Sequence, residues 1–372
     1  MVSKIRLKML REYFEDKNWI WLNREVMWLI EGRGNKKLYP IDLSTVSLTY
    51  WNDLKNFKKY LERLPRFKLK DSDKILLMVK DEALPNYRWK EIIDCIILLS
   101  GKSHKDIMVV DIGSNTDGSY NHITTNPFAH NPHLDLTLRV PEYIPLDQRN
   151  TFYNSLSRNQ KNFRVLFTLE LIKRNLLDIG SVSCCVSDDF ISEEYRKIIP
   201  DEYQKYFPMY ASGIVNRNRY INSYPSSAID SIVKVVLETT FDDVTIPGTD
   251  QSYCGGSYSD RIVITEKTFF GYQAFQVPIF LTVCGHVTEL KKYGFDMFED
   301  IVDHSYDTEI DPAKRIKMVA DELERLSKNK SSIINAKNIE ERLRHNRSNV
   351  ITMGNEVGKN LKEKLLEWFN SD

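Results

Sequence analysis

Short, uninterrupted aliphatic runs flanked by charge alternate along this chain with segments of helical periodicity, and this alternation restricts the fold more than any other feature. Lys74–Lys80 reads KILLMVK, Asp106–Gly113 reads DIMVVDIG, and Trp89–Ser100 lies between them. A strand buried on both faces needs a continuous apolar run, because successive side chains point to opposite faces. The intervening segment has the length and pattern of a helix. Strand, helix and strand within about 40 residues predict a βαβ unit and a parallel sheet.

The pattern restarts after Pro141 and Pro145. Phe163–Leu177 predicts a helix, Ser181–Val186 and Ser231–Glu238 strands, Glu266–Ala274 a helix, Pro278–Val283 a strand and Val287–Tyr293 a short helix. Residues 312–328, 331–345 and 354–369 predict helices, as does Trp51–Leu64, with Leu54, Phe57, Tyr60, Leu61 and Leu64 on one face. A chain of 372 residues is oversized for one core. The expected architecture is α/β, with two Rossmann-like domains facing a cleft and a C-terminal helical segment. The expected divisions are residues 1–148, 149–330 and 331–372. In such folds ligands sit outside the carboxyl ends of the strands.

Net charge is zero, 52 Lys+Arg against 52 Asp+Glu, but the balance is uneven. Residues 1–105 hold 22 basic and 14 acidic residues, interleaved with Trp19, Trp21, Trp28, Tyr39, Tyr50, Trp51 and Phe57. That half suits a polyanion with stackable bases, a saccharide, or simply water. The N-terminus lacks the apolar stretch of a signal peptide, and no apolar run is long enough to span a bilayer. The five cysteines lack metal-ligand spacing; Cys184 and Cys185, adjacent in an apolar run, read as buried thiols. The expected location is cytoplasmic, the host's cytoplasm for a virus-encoded chain. Phosphate-loop, dinucleotide and nucleophile-elbow glycine motifs are absent. No metal site is expected: Asp71-Ser-Asp73 precedes a strand instead of following one.

Four constellations could carry chemistry. Arg158, Lys161 and Arg164 recur every third residue across a loop and the first turn of a helix, where free N–H groups and cations hold phosphate; a solvated basic face is the alternative. Thr265-Glu266-Lys267-Thr268 ends an apolar run as a helix begins. It is either a simple N-cap or a carboxylate for ribose hydroxyls beside a lysine for a diphosphate. Glu238-Thr239-Thr240 finishes a strand with two hydroxyls. Finally, a polar stretch from Gly113 to Asn131 follows a first-domain strand and contains Asp117 and His122, either of which could serve as a general base facing the cleft.

The order of these segments resembles one family. FRVLFTLELIKRNLLDIGSVS (163–183), Val236–Thr240, TEKTF (265–269), PIFL (278–281), LKKYGFDMFEDIVDHSYD (290–307) and the tail with Arg344-His345-Asn346 resemble motifs of virus- and phage-encoded glycosyltransferases of GT-B fold. More distantly, Thr-Glu-Lys is similar to the donor motif of fucosyltransferase-type enzymes. The likeness covers roughly 150–350. It implies a metal-independent hexosyl- or pentosyltransferase using a nucleotide-diphosphate sugar as co-substrate, with no cofactor. Residues 1–148 would bind the acceptor, a saccharide or a modified base in DNA, and 149–330 the donor. Glu266 would hold the ribose. Lys267, Arg158, Lys161 and Arg164 would neutralise the diphosphate, with Glu238, Thr239, Thr240 and Thr268 in the same pocket. Phe275 stands where the family carries a small residue, which would narrow that pocket; His304 replaces a Glu and reads as peripheral. The alternative is a non-catalytic nucleotide- or sugar-binding protein on the same fold.

Overall fold

Among the described residues, two all-parallel four-stranded sheets organise the chain, one in each of two compact units: Met1–Pro132 with Gly354–Asp372, and His133–Met353. The structure is a computed structural model and describes residues 38–42, 71–78, 86–111, 118, 120–124, 142–157, 161–184, 197–207, 209, 229–238, 241 and 262–371. The expected helix over 51–64, the aromatic residues Trp19, Trp21, Trp28, Tyr50, Trp51 and Phe57, and the site residues Asp117, Arg158, Thr239 and Thr240 lie outside these.

In the first unit the sheet order follows the chain: β1 (Leu38–Asp42), β2 (Lys74–Met78), β3 (Ile107–Asp111) and β4 (His122–Thr124). The expected βαβ unit is present, with α1 (Asn86–Ser100) between β2 and β3. Trp89, Ile92, Ile93 and Ile96 of α1 repeat at helical spacing and are all buried. Gly101, at φ +69°, ends the helix in a left-handed turn that its missing Cβ permits. Ile75, Leu76 and Leu77 of β2 are all buried, as a strand covered on both faces requires. The polar stretch from Gly113 to Asn131 is not one loop, because His122–Thr124 pairs with β3.

In the second unit the strands are β5 (Thr151–Leu156), β6 (Gly180–Ser183), β7 (Ser231–Leu237) and β8 (Val277–Leu281), in spatial order β6-β5-β7-β8. Helices α2 (Asn162–Lys173), α3 (Glu266–Gln273), α4 (His286–Lys292), α5 (Pro312–Lys328) and α6 (Lys330–Ile334) follow in chain order. All seven residues of β7 are buried, including Lys234. The amphipathic α5 starts on Asp311, whose carboxylate accepts from Ala313 N (2.8 Å) and Lys314 N (3.3 Å), with Pro312 in the first turn.

The sequence suggested helices over 331–345 and 354–369; instead α7 (Ile339–Asn370) is continuous for 32 residues. The interruption falls earlier, at Asn335–Asn338, where Asn338 is left-handed at φ +55°. Within the second unit α7 is fastened by Asn346, fully buried, which accepts from Asp296 N and donates to Asp296 O, both at 2.7 Å. In the first unit its last turn is capped by Lys74, whose Nζ donates to Trp368 O (2.5 Å) and Ser371 O (2.7 Å). No helix among the described residues is long and apolar enough to cross a membrane.

Candidate functional site

Strand order reverses in the second unit between β5 and β7: the chain leaves β5 for β6 on one side and returns to β7 on the other. In doubly wound folds such a reversal marks, at the carboxyl ends of the two strands, the place where ligands bind. Several of the expected residues start or end the elements that meet there. β5 leads through Ser157 to Lys161 at the N-cap of α2, and Glu238 directly follows the last residue of β7. Thr265, Lys267 and Thr268 form the start of α3 beside it.

Glu238 joins these elements. It is fully buried. Its Oε1 accepts from Thr265 N (3.1 Å) and Thr268 Oγ1 (2.7 Å), and its Oε2 from Thr265 Oγ1 (2.6 Å). Its backbone carbonyl accepts from the Arg164 guanidinium (2.8 Å), which also reaches Leu237 O (3.1 Å). One residue therefore ties the first turns of α2 and α3 to the end of β7. Burial alone would raise its pKa, but the Lys267 charge and the two threonine hydrogen bonds outweigh that and hold the carboxyl below its usual range. The side chain is an ionised clamp.

Around the clamp the packing is aromatic and cationic. Phe163 of α2 stacks on Phe241 (centroids 4.6 Å apart, 15° between planes). Arg164 lies over the Phe163 ring at 5.3 Å and Arg315 over Phe241 at 5.4 Å, an arrangement favourable to guanidinium groups. Arg315 is fully buried and donates to Thr282 O (2.9 Å) and Glu309 O.

One level deeper, Lys234 lies on the same face of β7 as Glu238, four residues earlier. Its Nζ donates to Asn154 Oδ1 (2.6 Å) on β5, and Asn154 in turn donates to Ser231 Oγ. The stem runs beneath α3 at Gly271, where an added Cβ would sit 3.0 Å from Lys234 Cγ, so glycine allows this approach. Burial, with Lys267 nearby, pulls the amine down to about 7.

Several expectations are altered by these positions. Glu238 and Thr268 bond to one another inside the protein instead of lining an open pocket, and Arg164 is turned inward at 3% exposure. Lys161 and Lys267 remain half-buried at the two helix starts. Glu266 is the first residue of α3. His122 begins edge strand β4, its ring edge-on to Tyr120 at 5.8 Å. Phe275 precedes β8, at the end of the sheet opposite Glu238, so it cannot narrow a pocket at the carboxyl ends. His304 is not peripheral: Nδ1 lies 2.6 Å from Tyr306 Oη and Nε2 2.7 Å from Met297 O. Met297 O can only accept, so Nε2 carries the ring proton; Nδ1 is then a lone pair, and the Tyr306 hydroxyl, which accepts from Phe280 N (3.1 Å), donates to it.

Sequence reasoning passed over Lys234 and His286. A lysine inside SIVKVVLE was the available signal for the first; the second carries none. A separate open depression of about 530 Å³, lined by Thr288, Lys291, Asp303, Asp307 and Arg325 among others, includes none of the expected site residues. Comparisons with protein-family models, with curated proteins and with solved structures return no match.

Proposed function

We propose that the protein is a glycosyltransferase that takes its sugar from a nucleotide-diphosphate donor bound at the carboxyl ends of β5 and β7. The observation that carries this reading is the Glu238 clamp, which fixes two helix N-termini and their lysines beside the point where the strand order reverses. Helix N-termini attract anions through unsatisfied N–H groups. In glycosyl transfer, negative charge grows on the phosphate oxygens of the leaving group. A site that stabilises this charge with fixed groups lowers the barrier without reorganisation.

In this reading Lys161 and Lys267 face the diphosphate and Glu266 takes the ribose hydroxyls, while Arg158 adds a second cation on the loop before α2. Arg164, Glu238 and Thr268 hold the frame. The acceptor, a saccharide or a DNA base, belongs to the first unit, with Asp117 or His122 as base, in a GT-B-like arrangement within the cytoplasm. The test is calorimetry and transfer with a panel of uridine, guanosine and cytidine diphosphate sugars. Lys267→Ala is expected to weaken donor binding about tenfold, the scale of one charge-assisted contact. If no diphosphate sugar binds, the reading fails; binding without hydrolysis or transfer would make the protein a nucleotide-sugar binder.

A further inference from the structure

His286, the first residue of α4, is fully buried at the end of β8, next to the clamp. Its Nε2 lies 3.4 Å from Thr268 Oγ1. The Thr268 hydroxyl proton is already committed to Glu238 Oε1, so toward His286 the hydroxyl can only accept. The proton between them therefore belongs to Nε2, and the tautomer is fixed. Nδ1 is then a bare lone pair, without a hydrogen-bond partner. The ring packs against Phe280 at 5.3 Å. A leucine would fill this space without stranding a polar nitrogen, so packing gives no reason for a histidine here. Its Nε2–H does.

We infer that His286 is a positioning residue for the donor site: its Nε2–H orients the Thr268 hydroxyl onto Glu238 and so holds the first turn of α3 in place. The inference rests on the donor reading for its consequence, and on the relay His286–Thr268–Glu238 for its geometry. Burial keeps the imidazole below its ordinary pKa despite the carboxylates of Glu238, Asp307 and Glu289, so the ring is neutral at pH 7 and the relay intact.

The experiment uses the full chain and two substitutions. His286→Leu removes the donor and keeps the bulk; His286→Gln restores an amide N–H at the Nε2 position. Two readouts are taken: binding of uridine and guanosine diphosphates by calorimetry, and amide hydrogen exchange at Thr265, whose N–H bonds to Glu238. His286→Leu is expected to speed exchange at Thr265 about tenfold and to weaken nucleotide binding by a similar factor, while His286→Gln returns both to within about threefold of wild type. Wild-type exchange and affinity in His286→Leu would overturn the proposal. Equal losses in both variants would overturn it too, since ring shape would then be what matters. If the unaltered protein binds neither nucleotide, the donor reading falls, and the exchange arm still decides whether His286 holds the turn.

Discussion

Lys234→Met is expected to stabilise the fold at neutral pH, and to stabilise it less as the solution becomes alkaline. The unfolded chain keeps the lysine proton up to its ordinary pKa of 10.5, whereas in the folded state the amine releases it near 7. Between these values folding expels a proton, so stability rises with pH across that window and is flat below it. At pH 7 the penalty amounts to about 4 kcal/mol, and at pH 9 to about 2 kcal/mol. Methionine removes the whole penalty but strands Asn154 Oδ1, at a cost of about 1–2 kcal/mol. The net gain is therefore about 2–3 kcal/mol at pH 7, shrinking to near zero at pH 9. Urea unfolding of both proteins at the two pH values, followed by far-ultraviolet ellipticity, measures it. All six tryptophans fall in the first unit, so their fluorescence reports that unit while ellipticity reports both. A gap between variant and wild type that stays constant from pH 7 to pH 9 would refute the reasoning, because the amine would then not titrate in that window.

Glu238→Ala removes the acceptor for three hydrogen bonds and is expected to cost about 3–5 kcal/mol of stability in thermal unfolding and, on the donor reading proposed above, to abolish nucleotide binding. In the wild type this contribution is complete above the ordinary carboxyl pKa of 4.5 and is lost as pH falls through the depressed value, so an acid titration of melting temperature should be flatter in the variant. At Phe275 two effects compete. The residue is left-handed (φ +53°), which disfavours any side chain by about 1 kcal/mol, yet its ring is buried beneath Arg347 at 4.6 Å and edge-on to Tyr143. Losing that packing costs about 3–5 kcal/mol, so Phe275→Gly and Phe275→Ala both destabilise. Glycine should be the milder by about 1 kcal/mol, and an alanine variant that melts higher would contradict the strain account.

Strands made of aliphatic residues were legible: β2, β3, β7 and β8 fall within a few residues of their apolar runs. β5 was not, because its centre is Asn154-Ser155, polar residues that only the partner strands make tolerable. β4 has three residues inside a segment rich in turn formers, and β1 contains Pro40, which argues locally against a strand. α7 runs on through residues 346–353, where the expected helices leave a break; Asn346, Ser348 and Asn349 are weak helix formers, and Asn346 is held instead by the backbone of Asp296. At the site, Thr265-Glu266-Lys267-Thr268 announced a helix start at the right place. The direction in which Arg164 and Glu238 point was not readable, since a charged residue after a strand looks alike whether it faces water or a neighbouring helix. Paired partners, among them Thr265 and Thr268 for Glu238 and two carbonyls for Arg164, offset the cost of burying such charges.

The passage of α7 from one unit into the other has a consequence for the order in which the chain can fold. The second unit is contiguous in sequence, so all its strands are present once Met353 has been synthesised. The first is assembled from two pieces. Its closing contacts, Trp368 Nε1 to Lys105 O (2.9 Å) and Lys74 to the last turn, join residues 263 and 294 positions apart. Contacts so distant in sequence form late. Residues 354–372, which complete the first unit, emerge only after the whole second unit.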